Sequence, residues 1–296
     1  MRRSEVDAVN DALRIIKPGP YTLLVDRGRR RCQHFGLAAG GAADIHSYEW
    51  CNRLLGNPTN TPALEIAAGP FAAEFRFEGH AALCGAEHNA KLNGKPVHNW
   101  SSFSVKPGDT LQLGYAQSGV RSYLGVGGIW NVNTLFDSCQ RVNDNGSAEP
   151  LAPGEYIHFS ALKQLKLNTM TPWTQIPDDD SALCLPVRPS YQFLRFPEDQ
   201  RQALVDGYYT ISPQSNRMGY RLQGPVVHWP AAGIESEGIA LGAVQIPPDG
   251  QPIVLLNDRQ TIGGYPKIGC VAASACSRLT QRRPGQKVSF CWLDLD

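Results

Sequence analysis

Lys106-Pro107-Gly108-Asp109-Thr110-Leu111-Gln112-Leu113 is a Pro-Gly turn that leads into alternating apolar and polar residues. Proline followed by glycine is typical of a type II turn, and the alternation is typical of a strand with one buried face. The same pattern recurs at 152–159 and at 283–290, so the copies close a long N-terminal stretch and the C-terminal end of the sequence. This repeat predicts a mainly β protein built from two related β-barrels in tandem, with few short helices.

The length and the turn residues agree with this architecture. The chain has 296 residues, which corresponds to about two domains, and it contains 29 glycines and 22 prolines between short apolar runs. We predict an N-terminal extension at 1–13, a first β-barrel subdomain at 14–167, a linker at 168–180 and a second β-barrel subdomain at 181–296.

The composition excludes several classes of protein. With 42% apolar and 19% charged residues, the chain is neither disordered nor a coiled coil, and a net charge of +1 gives no basic surface for nucleic acid or for an anionic membrane. No apolar run approaches the roughly 18 residues of a membrane span, and the N-terminus has no apolar run of signal-peptide length. The 8 cysteines lack a C-x-x-C motif and the histidines lack metal-ligand spacing. We therefore expect reduced thiols, no metal site and a cytoplasmic location.

Two helices stand out from the strand pattern. Apolar residues at three- to four-residue spacing predict a helix from Ala42 to Leu55, with Asp44 as its N-cap and Gly56 after its end. A shorter helix is predicted from Glu198 to Val205. Near the first helix, the basic run at 27–31 is interpreted either as a solvated loop or as an arginine clamp for a phosphate or carboxylate.

The candidate site residues concentrate in the last third of the chain. The turn at 212–222 contains Ser215, Asn216, Arg217, Tyr220 and Arg221. Two arginines four residues apart can clamp a carboxylate or phosphate, and the alternative is a structural turn with solvated arginines.

Polar residues recur in the loops that follow this turn. Asp258 is the best placed carboxylate for general base chemistry and Glu237 the second, and the alternative for each is an acid that forms a turn. Polar groups at the mouth of a β-barrel, with glycines that let backbone N–H groups approach a ligand, predict a pocket. The further candidates for substrate binding are Gln245, Gln251, Gln260, Thr261, Gly263, Gly264 and Tyr265.

Several of these segments resemble one family, which comprises the C subunit of 5-oxoprolinase, allophanate hydrolase subunit 2 and biotin-dependent carboxyltransferase-like proteins. The resemblance covers roughly residues 14–296. Its most specific parts are 215–222, 236–238 and 245–268. In the first half it rests on Asp26-Arg27-Gly28-Arg29, Gly41-Ala42-Ala43-Asp44, Asn52, Leu55-Gly56-Asn57, Ala63-Leu64-Glu65, Cys84-Gly85-Ala86 and Arg121-Ser122-Tyr123-Leu124.

The resemblance implies two cyclophilin-like β-barrel subdomains and a heteromeric complex with the homologous B subunit of the same family. It implies ATP-dependent opening of the 5-oxoproline lactam to glutamate, for which an A subunit is also required, with ATP entering through the complex. On this basis Arg217 and Arg221 are expected to bind anions, Asn216 with the backbone of Gly263-Gly264 to support an oxyanion, and Asp258 to position water.

The sequence also departs from the family pattern. Val25, Gly40 and Cys84 replace the usual Gln, Ser and Thr, and the segment at 136–146 is shorter than the family's Ser-Thr-Asp-Leu and Gly-rich loop. Two alternatives therefore stay open beside the oxoprolinase: a carboxyltransferase-like subunit that acts on urea or a related amide with carboxybiotin carried by a partner, and a non-catalytic regulatory protein that binds a kinase inhibitor.

Overall fold

The structure is a computed structural model of the chain, and it describes residues 11–161, 169–231 and 233–293. The predicted extension is therefore described only from residue 11, and the predicted linker only from residue 169. The strands of the first half are β1 (Ala12–Lys17), β2 (Tyr21–Val25), β3 (Ala63–Ala67), β4 (Phe71–Phe75), β5 (Gly79–Glu87), β6 (Lys91–Leu92), β7 (Lys95–Pro96), β8 (Ser101–Val105), β9 (Thr110–Leu113), β10 (Ser118–Val126), β11 (Gly128–Trp130) and β12 (Tyr156–Ala161).

The second half follows the described part of the predicted linker. Its strands are β13 (Leu183–Pro189), β14 (Tyr208–Ile211), β15 (Gly219–Gln223), β16 (Glu237–Gly238), β17 (Ala243–Gln245), β18 (Ile253–Leu255), β19 (Ile262–Gly263), β20 (Lys267–Val271) and β21 (Lys287–Trp292). The helices of the described chain are α1 (Ile45–Leu54), α2 (Glu198–Asp206) and α3 (Ala273–Thr280). As predicted, strands β9, β12 and β21 each follow a Pro-Gly turn, and the protein is mainly β.

Two sheets enclose the core of the first half. Within the described residues one sheet has the order β11-β12-β1-β4-β9-β6-β7 and the other β2-β3-β10-β5-β8. Side chains alternate between the two faces of a strand, and β2 shows the consequence. Leu24 packs into the core between the sheets, whereas Leu23 and Val25 pack on the opposite face against α1. The five-stranded sheet is therefore covered on both faces.

Helix α1 begins where its predicted N-cap places it. The Asp44 carboxylate accepts hydrogen bonds from the backbone N–H groups of His46 and Ser47, at 3.1 and 3.2 Å. These bonds satisfy donors that the first turn leaves free. The two residues before Asp44 were predicted as helical but precede the helix, so the observed helix is shorter at its start.

A closed barrel forms the second half. Its strand order among the described residues is β13-β20-β17-β18-β15-β14-β21, and its interior is an apolar cluster that includes Leu222, Val244 and Val254. The predicted α2 is observed, but α3 was not predicted. The buried face of α3 carries small and polar residues such as Ser277 and Thr280, so the segment lacks the apolar periodicity that marks a helix.

All 8 cysteines lie in the described residues and are free in the structure. None of the described helices is both long and apolar enough to cross a bilayer.

Candidate functional site

A cavity of about 560 Å³ lies between the two halves of the molecule. Both halves contribute to its wall, so it exists only when they are packed together. The lining residues are Tyr21, Gly36, Ala38, Ala67, Arg121, Asn145, Gly146, Ser147, Ala148, Asn216, Arg217, Met218, Asp258, Arg259 and Gln260.

Arg217 links the predicted site residues to the first half. Its Nε donates to Asp258 Oδ2 at 2.7 Å and its Nη2 to Asp258 Oδ1 at 3.0 Å, which is the bidentate geometry of a strong ion pair. Its Nη2 also donates to the Gly41 carbonyl at 2.7 Å, and its Nη1 to Glu65 Oε1 at 2.5 Å. Four of its five N–H groups are therefore taken up by protein oxygens. The first effect of Arg217 is to fix the Asp258 carboxylate on the cavity wall.

Glu65 is the buried centre of this charge cluster. Its Oε2 accepts from the Ala43 N–H at 2.8 Å and from the Tyr123 hydroxyl at 2.7 Å, and its Oε1 lies 3.5 Å from Arg121 Nε. Burial would raise the pKa of Glu65, but Arg217, Arg121 and these hydrogen bonds outweigh it and lower the pKa. Burial likewise opposes the charge of Arg217, yet its two carboxylates raise its pKa. Glu65 is therefore ionised between two arginines, and with Asp258 the cluster contains two acidic and two basic side chains.

Two more predicted residues, Asn216 and Gln260, also line the cavity. The side-chain oxygen of Asn216 accepts from the Met218 N–H at 2.8 Å, which leaves its amide nitrogen free to donate.

Tyr220, another predicted residue, does not line the cavity. Its hydroxyl is buried, donates to the Thr280 carbonyl at 3.0 Å and accepts from Arg121 at 3.0 Å. Tyr220 therefore joins the two halves behind the cavity.

The remaining predicted residues do not line the cavity. Glu237 forms an ion pair with Lys267 and a hydrogen bond with Tyr191. Ser215 and Gln251 make hydrogen bonds to nearby backbone, at Arg221 and at Gly224. The other residues outside the cavity lining are Gln245, Thr261, Gly263, Gly264 and Tyr265.

Some of these predicted residues line a second, smaller hollow of about 120 Å³. It adjoins the cavity, because Asn216, Met218 and Gln260 line both. Its other lining residues are Gly219, Arg221, Gln245, Ile253, Leu255 and Tyr265. The predicted residues thus divide between two neighbouring hollows.

Sequence reasoning about the site missed the contribution of the first half. Tyr21 is half-buried and lines the cavity, and burial with the nearby Asp258 charge raises the pKa of its hydroxyl. Glu65 and Arg121 lie in segments that carry the family resemblance, but no role was predicted for them. A signal was available for Glu65, since it is a charged residue inside the apolar run at 63–67.

The segment that departs from the family pattern reaches the cavity. Asn145 and Gly146 line it, and the Asn143 side chain braces this turn by accepting from the N–H groups of Asn145 and Ser147, at 3.1 and 3.0 Å. Another departure, Gly40, lies against this segment. It has φ +64°, and a Cβ there would lie 2.7 Å from the side-chain oxygen of Gln140.

The basic run is a solvated loop only in part, and no arginine of the run reaches the cavity. Arg29 is buried and donates to the Gln140 carbonyl, and Arg27 donates to Glu49 and to the Thr59 carbonyl. Residues 30 and 31 are exposed. None of the five lines the cavity.

Gln281 completes the junction of the halves. It is fully buried, its Oε1 accepts from the N–H groups of Val120 and Arg121, and its Nε2 donates to Asp44 Oδ2 and the Arg121 carbonyl, each at 2.8 Å. All four hydrogen-bonding positions of this side chain are used on the other half.

Within 11–161, 169–231 and 233–293, no group of three or more histidine, cysteine, aspartate or glutamate residues could hold a metal ion.

Comparisons with known proteins agree with this architecture. The family "Carboxyltransferase domain, subdomain A and B" matches residues 35–292. The C subunit of 5-oxoprolinase from Escherichia coli K12 is 35% identical over 289 residues, which are 96% of this chain and 92% of that protein. A putative urea carboxylase of Emericella nidulans is 30% identical over 94% of this chain but only 24% of its own length.

A solved structure shows the same fold. The crystal structure of TTHA0988 matches 97% of this chain with a TM-score of 0.87 and 31% identity, and this chain spans 56% of that chain. The match at 35–292 covers the wall of the cavity from both halves apart from Tyr21. The chain therefore belongs to the family of carboxyltransferase domains composed of subdomains A and B.

Proposed function

We propose that this protein is a subunit of an ATP-dependent 5-oxoprolinase that hydrolyses 5-oxoproline to glutamate together with the B subunit of that enzyme as its partner. The observation that carries the proposal is the near full-length similarity to a protein named as the C subunit of 5-oxoprolinase, 96% of this chain against 92% of that one. The cavity between the halves supports it, because it presents the fixed carboxylate of Asp258 beside hydrogen-bond donors such as Asn216 and Arg259.

In the proposed chemistry, residues from both halves of the cavity lining take part in the reaction. Asp258 keeps lone pairs that Arg217 does not use, so its carboxylate can accept a proton from water as the water oxygen attacks the lactam carbonyl carbon. The carbon–nitrogen bond then breaks and the leaving nitrogen takes up a proton. Asn216 Nδ2 and the Tyr21 hydroxyl are the donors for the carbonyl oxygen as negative charge develops on it.

The residues of the cavity offer few free cations to a nucleoside triphosphate. Arg217 and Arg121 are committed to Glu65 and Asp258, and Arg259, the other arginine of the lining, donates to the carbonyls of Ile239 and Leu256. We therefore place ATP on another part of the complex and assign it no step on this chain.

The similarity to a putative urea carboxylase supports a second candidate function. In that case the cavity takes urea or a related amide, and a partner brings carboxybiotin. The cavity volume of about 560 Å³ exceeds the volume of a small amide, so the cavity has room for a second group beside the substrate.

Reconstitution with the partner subunits tests these functions. Glutamate release should require ATP and 5-oxoproline, and Asp258→Asn should reduce it about 100-fold or more. Glu237→Gln is the matched control, since Glu237 lies outside the cavity lining, and it should retain activity. Full activity of Asp258→Asn refutes the assignment. Carboxylation of urea without glutamate release favours the second function, and tight binding of a kinase inhibitor without turnover favours the regulatory protein.

A further inference from the structure

The smaller hollow lies on the outer face of the barrel. Side chains of β15, β17 and β18 alternate, and Leu222, Val244 and Val254 point to the interior. Their neighbours Arg221, Ile253 and Gln245 therefore point outward. The strand register places these three side by side, because Ile253 pairs with Arg221 on one side and with Gln245 on the other. An arginine and an amide thus face each other across an apolar floor.

The amide of Gln245 has no partner within the described residues, although only 6% of the residue is exposed. Its Nε2 lies 3.2 Å from where a Gly263 Cβ would be, so glycine at this position leaves the amide its space. The polar atoms of this amide are not among the fully buried atoms that lack a partner, so they reach the hollow. A polar group that enters the hollow can therefore form a hydrogen bond with the amide.

Charge identifies the kind of group. Among the described residues that line the hollow, Arg221 carries the one formal charge, and its guanidinium has no ion-pair partner in the described chain. The nearby carboxylate of Glu237 is paired with Lys267. The hollow therefore presents a positive charge and amide donors above the aliphatic side chains of Ile253 and Leu255.

We propose that this hollow is a carboxylate-binding subsite in which Arg221 and the Gln245 amide hold the carboxylate of the substrate. The inference rests on the proposed function, in which that group is the carboxylate of 5-oxoproline. At about 120 Å³ the hollow accepts a group of a few heavy atoms. Because Asn216 and Gln260 line both spaces, the lactam ring extends from the hollow into the cavity.

Paired ligands test the subsite. Binding of 5-oxoproline and of 2-pyrrolidinone, the same lactam without a carboxylate, is measured by calorimetry on the full chain. Arg221→Gln should lose about 10- to 100-fold in affinity for 5-oxoproline and nothing for 2-pyrrolidinone, because it removes a charge-assisted contact. Arg221→Lys should retain part of the affinity. Arg188→Gln, an exposed arginine on β13 of the same barrel, is the control. Unchanged affinity of Arg221→Gln for 5-oxoproline overturns the proposal.

A second measurement separates the subsite from the proposed function. Acetate is titrated while the Gln245 side-chain amide is followed by NMR, its signal assigned with Gln245→Leu. A saturable shift in the unmodified chain and in Arg188→Gln, lost in Arg221→Gln, supports the carboxylate subsite even if 5-oxoproline does not bind, in which case the proposed function alone fails. No shift in the unmodified chain overturns the subsite.

Discussion

Glu65→Gln is the perturbation that tests the charge cluster most directly. Glutamine keeps the shape of the side chain and removes its charge. Glu65 and Asp258 now balance Arg217 and Arg121, so the variant leaves a net positive charge in a place where Glu65 is 1% exposed and both arginines are 5% exposed. Because Arg217 belongs to the second half and Glu65 to the first, the perturbation weakens the packing of the halves.

The expected loss in free energy of unfolding follows from the burial of these charges. Removing one partner of a buried ion pair costs about 3–5 kcal/mol, since the remaining charge stays desolvated. The side chain of Asp258 is 12% exposed, so Asp258→Asn should cost less, about 1–3 kcal/mol. Adding Arg121→Met to Glu65→Gln removes a charge of each sign and leaves the pair between Arg217 and Asp258 intact, so the double variant should recover part of the loss.

Urea unfolding of the four proteins, followed by circular dichroism and by tryptophan fluorescence, measures these free energies. The difference in free energy of unfolding between Glu65→Gln and the unmodified chain should become smaller at acidic pH. The lowered pKa of Glu65 means that its stabilisation is present above the ordinary glutamate pKa and is lost as pH falls through the lowered value. A free energy for Glu65→Gln within 1 kcal/mol of the unmodified chain at pH 7 would refute the argument that these charges hold the halves together.

The other predictions concern the same junction and its edge. Gln281→Ala should cost about 3 kcal/mol or more in the same unfolding assay, because it removes the acceptor of the Val120 and Arg121 N–H groups and the donor to Asp44 and the Arg121 carbonyl, and a loss below 1 kcal/mol would contradict the bridging role. Burial raises the pKa of Asp179 from 3.8 to about 6, despite Arg278 at 3.0 Å. The folded state then binds more protons than the unfolded state, so stability falls as pH rises through this window. Asp179→Asn should be more stable than the unmodified chain by up to about 3 kcal/mol at pH 7.5 and equally stable below pH 3. If the variant and the unmodified chain had the same melting temperature at pH 7.5 as well as below pH 3, this prediction would be contradicted.

Local features of the fold could be predicted from the sequence because their causes are local. A Pro-Gly turn fixes its own dihedral angles, and an aspartate caps the helix that begins beside it, so β9 and α1 were predictable from neighbouring residues. Helix α3 was not, because its buried face meets the polar interface between the halves. Ser277 there accepts from the Ile45 N–H at 3.3 Å, and no apolar stripe is required for such a contact.

The candidate site was only half predictable for a physical reason. The turn at 212–222 can be recognised in the sequence by its dense set of polar residues. The roles of those residues, however, depend on partners far away in the chain, since Arg217 and Glu65 are 152 positions apart. A sequence shows that an arginine is present and does not show which carboxylate neutralises it. Arg217 and Arg221 therefore look equivalent in the sequence, four residues apart on one turn. In the structure the first is buried between two carboxylates and the second has none. Of these two arginines, Arg221 on the outer face of the barrel is therefore the one we propose to bind substrate, whereas Arg217 holds the Asp258 carboxylate in place.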